Sequence, residues 1–150
     1  VPRRDTSSKV NALAGGRVFP GVHHLADFKV NEDNGQYNIA FESDDGTFLE
    51  ISASETNDWS DQSIFEDQDC ASDFFKQGSI GYSPDKIGDT FDGLELKIKK
   101  WEISSLKVSK VKSSFFENES IFPKGTINFD NALLMKNIDH EWKSRKRILQ

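Results

Sequence analysis

Two adjacent histidines, His23 and His24, are the residues of this sequence best suited to chemistry. Imidazole titrates near neutral pH, so it can act as a general acid, a general base or a metal ligand. Neighbouring residues of an extended chain point to opposite faces, so only one of the two enters a given pocket. The small neighbours Val22 and Ala26 favour His24 as that residue. A structural or surface role for either histidine is the alternative.

Arginines close to the histidines could bind an anion. Arg3, Arg4 and Arg17 flank a short predicted helix, and a guanidinium grips a carboxylate or phosphate through two parallel hydrogen bonds. A salt bridge between Arg4 and Asp5, or simple solvation, is the alternative. The residues that we predict to line a ligand pocket are Arg17, His23, His24 and Tyr82.

Signals for metal, nucleotide and covalent chemistry are weak. His140 and Glu141 lack the second histidine of a zincin helix, and no Gly-rich phosphate loop follows a predicted strand. The acidic segment 55–73 lacks EF-hand spacing, so we expect a solvated loop. Cys70 lies among carboxylates, which raise the pKa of a thiol. We therefore predict no metal and no cofactor.

The elements that must position these residues are mainly β-strands. Residues 25–53 alternate apolar and polar side chains around two turn signals at residues 33–35 and 44–46, which predicts a three-stranded antiparallel meander. Residues 93–99 alternate in the same way. Residues 101–111 continue as strand, and a change of parity predicts a bulge or kink between Val108 and Val111. Residues 127–129 also suggest a strand.

Two short helices complete the pattern. The first, over residues 9–14, follows N-cap hydroxyls and ends at Gly15 and Gly16, which tolerate left-handed geometry. The second, over residues 71–77, is predicted to turn Phe74 and Phe75 inward. Several strands with few helices fit a closed or strongly bent antiparallel sheet. The predicted fold class is a mainly-β, barrel-like or cone-like domain over residues 1–150.

Composition excludes some classes of partner. The chain has 150 residues and a net charge of −6, so a nucleic-acid-binding or anionic-membrane surface is not expected. No apolar run approaches the roughly 18 residues of a membrane span. One cysteine excludes an internal disulfide and is typical of a cytoplasmic protein. The first residue is Val1, so we expect that the chain lacks an N-terminal segment of a longer protein.

Seven stretches together carry a resemblance to a known group. They are residues 1–8, 16–24, 79–83, 91–96, 113–116, 129–135 and 139–142. The pattern resembles uncharacterised bacterial proteins of the acetoacetate-decarboxylase-like superfamily. The resemblance implies a mainly-β barrel or cone with an internal pocket, and an N-terminal segment beyond this chain.

The same resemblance implies a difference in chemistry. Acetoacetate decarboxylases carry a Schiff-base lysine in a Gly-aromatic-Pro-Lys-Lys stretch. The comparable stretch here runs from Phe19 to His24 and contains no lysine, and imidazole cannot form that imine with a ketone.

We therefore expect a domain whose barrel pocket binds a small organic molecule. Anionic molecules are among the ligands that this pocket could take. The alternatives are a lyase- or hydrolase-type enzyme that uses His23 or His24 as general acid or base, and a structural or partner-interaction domain.

Overall fold

The computed structural model describes residues 3–15, 20–85 and 89–149. Two helices, α1 (Lys9–Ala14) and α2 (Gln68–Gln77), accompany nine strands in this part of the chain. The strands are β1 (Asp5–Thr6), β2 (His24–Asp33), β3 (Gln36–Ser43), β4 (Phe48–Glu55), β5 (Ile80–Pro84), β6 (Thr90–Ile98), β7 (Ser104–Ser113), β8 (Ala132–Leu134) and β9 (His140–Leu149). The predicted mainly-β class with a strongly curled sheet is confirmed. None of the described helices is long and apolar enough to span a bilayer.

The strands form two sheets, and the chain divides into two compact units. One sheet has the order β1-β2-β3-β4-β7-β8, and the other has the order β5-β6-β9. Unit 1 consists of Val1–Ala26, Asp73–Trp101 and Asn137–Gln150, and unit 2 consists of Asp27–Ser72 and Glu102–Lys136. That residues 1–150 fold as one domain stays a prediction.

Unit 2 contains most of the predicted meander, which the structure confirms. Asn34 and Gly35 join β2 to β3 with φ values of 46° and 74°, the left-handed conformation that a two-residue hairpin turn requires. The register of β3 with β4 places Ile39 opposite Ile51 and Tyr37 opposite Ala53. Tyr37, Ala53 and Leu106 form the buried core of this unit.

The bulge predicted in the second half of the chain is also present. The register of β4 with β7 shifts between Ser52 and Ala53, which face Lys110 and Val108. Ser109 is therefore the extra residue of β7. The resulting change of side-chain parity lets Val108 and Val111 both serve the same face.

A polar cluster joins the chain after β8 to two strands of unit 2. The Lys136 ammonium donates to Glu32 Oε1 at 2.6 Å and to Glu55 Oε1 at 3.1 Å. The Tyr37 hydroxyl donates to Glu55 Oε1 at 2.7 Å, and Lys136 Nζ lies 4.9 Å from the centre of the Tyr37 ring. One cation thus holds two carboxylates that would otherwise repel each other.

Unit 1 contains the antiparallel sheet β5-β6-β9. Gly81, Leu94 and Ser144 lie side by side across its three strands. Leu96 pairs with Trp142 two residues further along, and because side chains alternate, that pair lies on the same face. The ladder between β6 and β9 is irregular between Phe91 and Gly93.

Three local predictions were wrong. The left-handed geometry predicted for Gly15 and Gly16 is absent at Gly15, which ends α1 with φ −59° and ψ 137° while its N–H donates to Asn11 O; Gly16 lies outside the described residues. Phe74 and Phe75 are 61% and 48% exposed, because α2 is buried only at Ala71. Residues 127–129 form no strand; the short β8 follows them instead.

Candidate functional site

The candidate site is a cleft of about 1090 Å³ whose described wall residues all belong to unit 1. Its floor is the sheet face that carries Gly81, Leu94, Leu96, Trp142 and Ser144. The opposite parts of the wall come from residues 3–6, from Asn11 on α1, and from Pro20 and His23. Phe75 and Trp101 complete the apolar part. The cleft therefore has a polar end, near the first residues of the chain, and an apolar end.

Gly21 connects the polar groups at that end. Its φ of +78° lies in the left-handed region, which glycine adopts without a steric penalty. Its N–H donates to Asp92 Oδ2 at 2.9 Å, and its carbonyl lies 3.0 Å from His23 Nδ1. A Cβ at this position would lie 2.7 Å from an Arg4 nitrogen and 3.0 Å from Ser83 Oγ. No residue larger than glycine fits this turn without a rearrangement.

Arg4 is held in the cleft wall by two carbonyls. Its guanidinium donates to Pro20 O at 2.8 Å and to Gly81 O at 3.3 Å. Burial lowers the pKa of Arg4, and the charge of Asp92 opposes that effect. An arginine stays charged at neutral pH even so. Among the described residues no carboxylate accepts a hydrogen bond from Arg4, so its charge is balanced only at a distance.

Asp92 accepts hydrogen bonds from two residues at the polar end of the cleft. Its side chain is buried, with 2% of the residue exposed. Arg147 Nε donates to its Oδ1 at 2.5 Å, and the Gly21 N–H donates to its Oδ2. Buried carboxylates are stable only when charge and hydrogen bonds compensate them, and both oxygens are compensated here. Ser83 lies beside Asp92 in the next strand, and its buried hydroxyl has no hydrogen-bond partner among the described residues.

His23 is positioned as a proton acceptor. Because the Gly21 carbonyl can only accept, the contact at 3.0 Å places the ring proton on Nδ1 and leaves Nε2 as the basic nitrogen. Burial lowers the pKa of His23, and the charge of Arg4 lowers it further, while the Gly21 hydrogen bond opposes both. His23 is therefore neutral at pH 7.

Arg3 also lines the cleft but is already paired. Its guanidinium forms a bidentate pair with Asp5, with Nε at 2.8 Å and a terminal nitrogen at 2.7 Å from the carboxylate oxygens. The predicted alternative of an Arg4–Asp5 bridge was wrong in the residue: Arg3 takes Asp5, because its side chain lies on the same side of the extended chain two residues away. This leaves Arg4 for the cleft.

The four predicted pocket residues have different positions. His23 lies in the cleft wall, whereas His24 begins β2 opposite Asp5 of β1 and is not among the described wall residues. Tyr82 is one residue from Gly81 and so lies on the other face of the sheet, where its ring covers Gly93. Arg17 lies outside the described residues. The sequence favours His24 as the pocket residue, whereas the described wall of this cleft contains His23 and not His24.

Arg4, Asp92 and Arg147 form the polar end of the site, and of these only Arg4 is a candidate from the sequence. A signal for Asp92 was present. The alternation that places Leu94 and Leu96 on one face extends back to position 92, so an acidic residue stands where an apolar one is expected. Arg147 had no such signal, because it became the partner of Asp92 only through the irregular ladder of β6 and β9.

No protein-family model, curated protein or solved structure matches this chain. Among the described residues no group of three or more His, Cys, Asp or Glu side chains could hold a metal ion. A hydrogen bond with Asp67 is the main cause that raises the pKa of the exposed Cys70, as its acidic surroundings predicted.

Charge is distributed very unevenly between the units. Unit 1 has 13 Lys and Arg against 8 Asp and Glu, a net charge of +5, and unit 2 has 6 against 17, a net charge of −11. The cleft thus belongs to the basic unit of an acidic chain. A basic surround favours anionic ligands.

Proposed function

We propose that the protein binds a small anionic organic molecule in the cleft of unit 1. The observation that carries this proposal is the Arg4 guanidinium in the cleft wall, without a carboxylate hydrogen-bonded to it among the described residues. A ligand carboxylate would supply that partner at a half-buried guanidinium, and a charge-assisted hydrogen bond is stronger than a neutral one. The net charge of +5 on unit 1 supports the same sign of ligand.

The resemblance to acetoacetate-decarboxylase-like proteins is part of this proposal. A mainly-β fold with a cleft supports it at the level of architecture. No lysine is among the described wall residues, which supports binding or chemistry without a Schiff base. A cytoplasmic location also belongs to the proposal, supported by the single cysteine.

Binding is tested by calorimetry with benzoate and its neutral isostere benzamide. We expect benzoate to bind about tenfold more tightly, because the amide forfeits the charge-assisted hydrogen bond to Arg4. Arg4→Met should remove this difference, and Lys9→Met, which removes an exposed cation outside the cleft wall, should preserve it.

Equal affinities for benzoate and benzamide would contradict the proposal. Arg4→Lys serves as a second variant, because it keeps the charge if Arg4→Met fails to fold. Benzoate binding that resists both substitutions at Arg4 would also place the anion elsewhere.

His23 supports a second candidate function, proton transfer to and from a bound carbonyl compound. The hydrogen bond from Nδ1 leaves Nε2 as the acceptor, and the lowered pKa keeps that nitrogen unprotonated at pH 7. Exchange of the α-protons of levulinate for deuterium, followed by NMR, tests it. We expect His23→Gln to abolish catalysed exchange and the matched variant His24→Gln to retain it. Exchange that no protein concentration accelerates would overturn this candidate.

A further inference from the structure

The wall of the cleft opposite its polar end is apolar and open. Trp142 is 56% exposed, Phe75 is 48% exposed, and Trp101 is half-buried. They come from β9, from α2 and from the residues after β6, yet all three line the same cleft. Aromatic rings bury large apolar areas when covered, so three of them around one concavity form a surface suited to an apolar ligand group.

The register of the sheet sets the distance between the two ends. Arg4 donates to the carbonyl of Gly81, which stands in the row of Leu94 and Ser144. The next row on the same face, two residues along, contains Leu96 and Trp142. Two residues of a strand span roughly 7 Å, and the two strand spacings from Gly81 of β5 to Trp142 of β9 add about 10 Å across the sheet, so the two ends lie about 12 Å apart. A ligand that reaches from the guanidinium to the indole is therefore about the length of a bicyclic ring with one substituent.

The size of the cleft agrees with such a ligand. Its volume of about 1090 Å³ lies just above the range for sites that hold drug-sized molecules, roughly 300–1,000 Å³, so a bicyclic acid fits with room to spare. An acid of three or four carbons would leave both tryptophans uncovered.

The polar end accepts one carboxylate. Arg4 offers a guanidinium without a carboxylate partner among the described residues, and His23 lies beside it. Arg3 is already paired with Asp5, and the carboxylate of Asp5 also lines the cleft. Because this pair occupies Arg3, the described wall offers one guanidinium, that of Arg4, to one ligand carboxylate.

We propose that the ligand of this cleft is an aromatic monocarboxylate, with its carboxylate at Arg4 and its ring over Leu96 and Trp142. This inference rests on the proposed function and names its ligand class. The rings of Phe75 and Trp101 cover the remaining sides of the aromatic body.

The test is calorimetric titration of the full chain with 2-naphthoate and with propionate. The two acids share a carboxylate and differ in the aromatic body. We expect 2-naphthoate to bind at least about tenfold more tightly, because it buries the apolar wall. Phe75→Ala should weaken 2-naphthoate several-fold and leave propionate unchanged. Phe74→Ala is the matched control, since Phe74 is the neighbouring phenylalanine of α2, is 61% exposed and is not a wall residue.

Each outcome separates this inference from the proposed function. Equal affinities for 2-naphthoate and propionate, with benzoate still preferred to benzamide, would overturn the aromatic ligand and leave anion binding intact. A chain that binds none of the acids would overturn the proposed function. Trp142→Ser is a second variant on an exposed strand; 2-naphthoate binding unaffected by both Phe75→Ala and Trp142→Ser would also overturn the inference.

Discussion

Gly21 shows how one residue without a side chain can organise a site. Its N–H, its carbonyl and its α-carbon each face a different polar group: Asp92, His23 and Arg4. A turn at this position was predictable from Pro20 and Gly21. The convergence was not, because it depends on residues about 70 positions later in the chain.

Gly21→Ala is expected to destabilise the protein more than Gly46→Ala. Both glycines have φ near +80°, so both variants incur a left-handed alanine, about 1 kcal/mol. A Cβ at Gly46 meets nothing within 4 Å, whereas one at Gly21 meets Arg4 at 2.7 Å and adds an overpacking cost of about 1–3 kcal/mol. Urea unfolding of the two variants measures the difference. Equal losses would show that the Arg4 contact is not restrictive.

His23 should make stability depend on pH. Because its pKa is lowered in the folded chain, the unfolded chain binds the proton more readily. The contribution of neutral His23 is complete above the ordinary value of 6.5 and is lost as the pH falls below it. Between pH 8 and pH 5 the measured unfolding free energy of the wild type should therefore fall relative to that of His23→Gln, which has no imidazole to protonate. Parallel curves would contradict the placement of His23.

At the scale of elements, the periodicity of the sequence predicted the features that depend only on residues close together in the chain. The meander, both hairpin turns and the bulge in β7 follow from alternation and turn residues, and the structure has them. The orientation of α2 did not follow, because its exposure depends on which strands cover it. Which of His23 and His24 lines this cleft did not follow either, for a related reason. Strand alternation was applied to both, but β2 begins only at His24, and the His23 ring turns back to the Gly21 carbonyl.

The cluster around Lys136 joins elements through charge. A hydrogen bond from Lys136 lowers the pKa of Glu32, and one from Tyr37 followed by one from Lys136 lowers the pKa of Glu55. Carboxylates with lowered pKa values stabilise the fold above their ordinary value of 4.5 and lose that contribution as the pH falls.

Lys136→Met should therefore reduce stability at pH 7, and the difference from the wild type should shrink below pH 4.5 as the two carboxylates become protonated. Lys124→Met is the control, because it removes the same charge from an exposed residue of unit 2. Chemical unfolding across this pH range measures both variants. Identical behaviour of the two variants would show that the cluster does not stabilise unit 2.

At the scale of the whole molecule, a single net charge conceals the distribution that matters. The value of −6 is the reason that a nucleic-acid or anionic-membrane surface is not expected, whereas the unit that contains the cleft carries +5. The sequence could not reveal this, because unit 1 is assembled from three separate segments. Length and composition bound the size and charge of the protein, and the alternation of apolar and polar residues predicted its strands; only the contacts show which charges share a unit.

Salt should weaken the binding of benzoate and leave that of benzamide unchanged. The field of a basic unit acts at long range and is screened as the Debye length shortens from about 30 Å at 0.01 M salt to about 10 Å at 0.1 M. Titrations at these two ionic strengths should show a few-fold loss for benzoate. A benzoate affinity that does not change with salt would contradict a contribution from the long-range field of unit 1 and leave only the direct contact with Arg4.

Amide exchange along strand β9 depends on what binds to the sheet β5-β6-β9. All ten of its residues are exposed, and β6 is its only partner among the described strands. In an antiparallel ladder alternate residues turn their N–H groups toward the partner, so every second amide of β9 should exchange with deuterated solvent quickly, apart from the irregular stretch opposite residues 91–93. A small molecule above the sheet face would leave those outward amides fast, whereas an added strand would slow them. Amide exchange along β9 thus distinguishes a ligand in the cleft from a peptide at the edge.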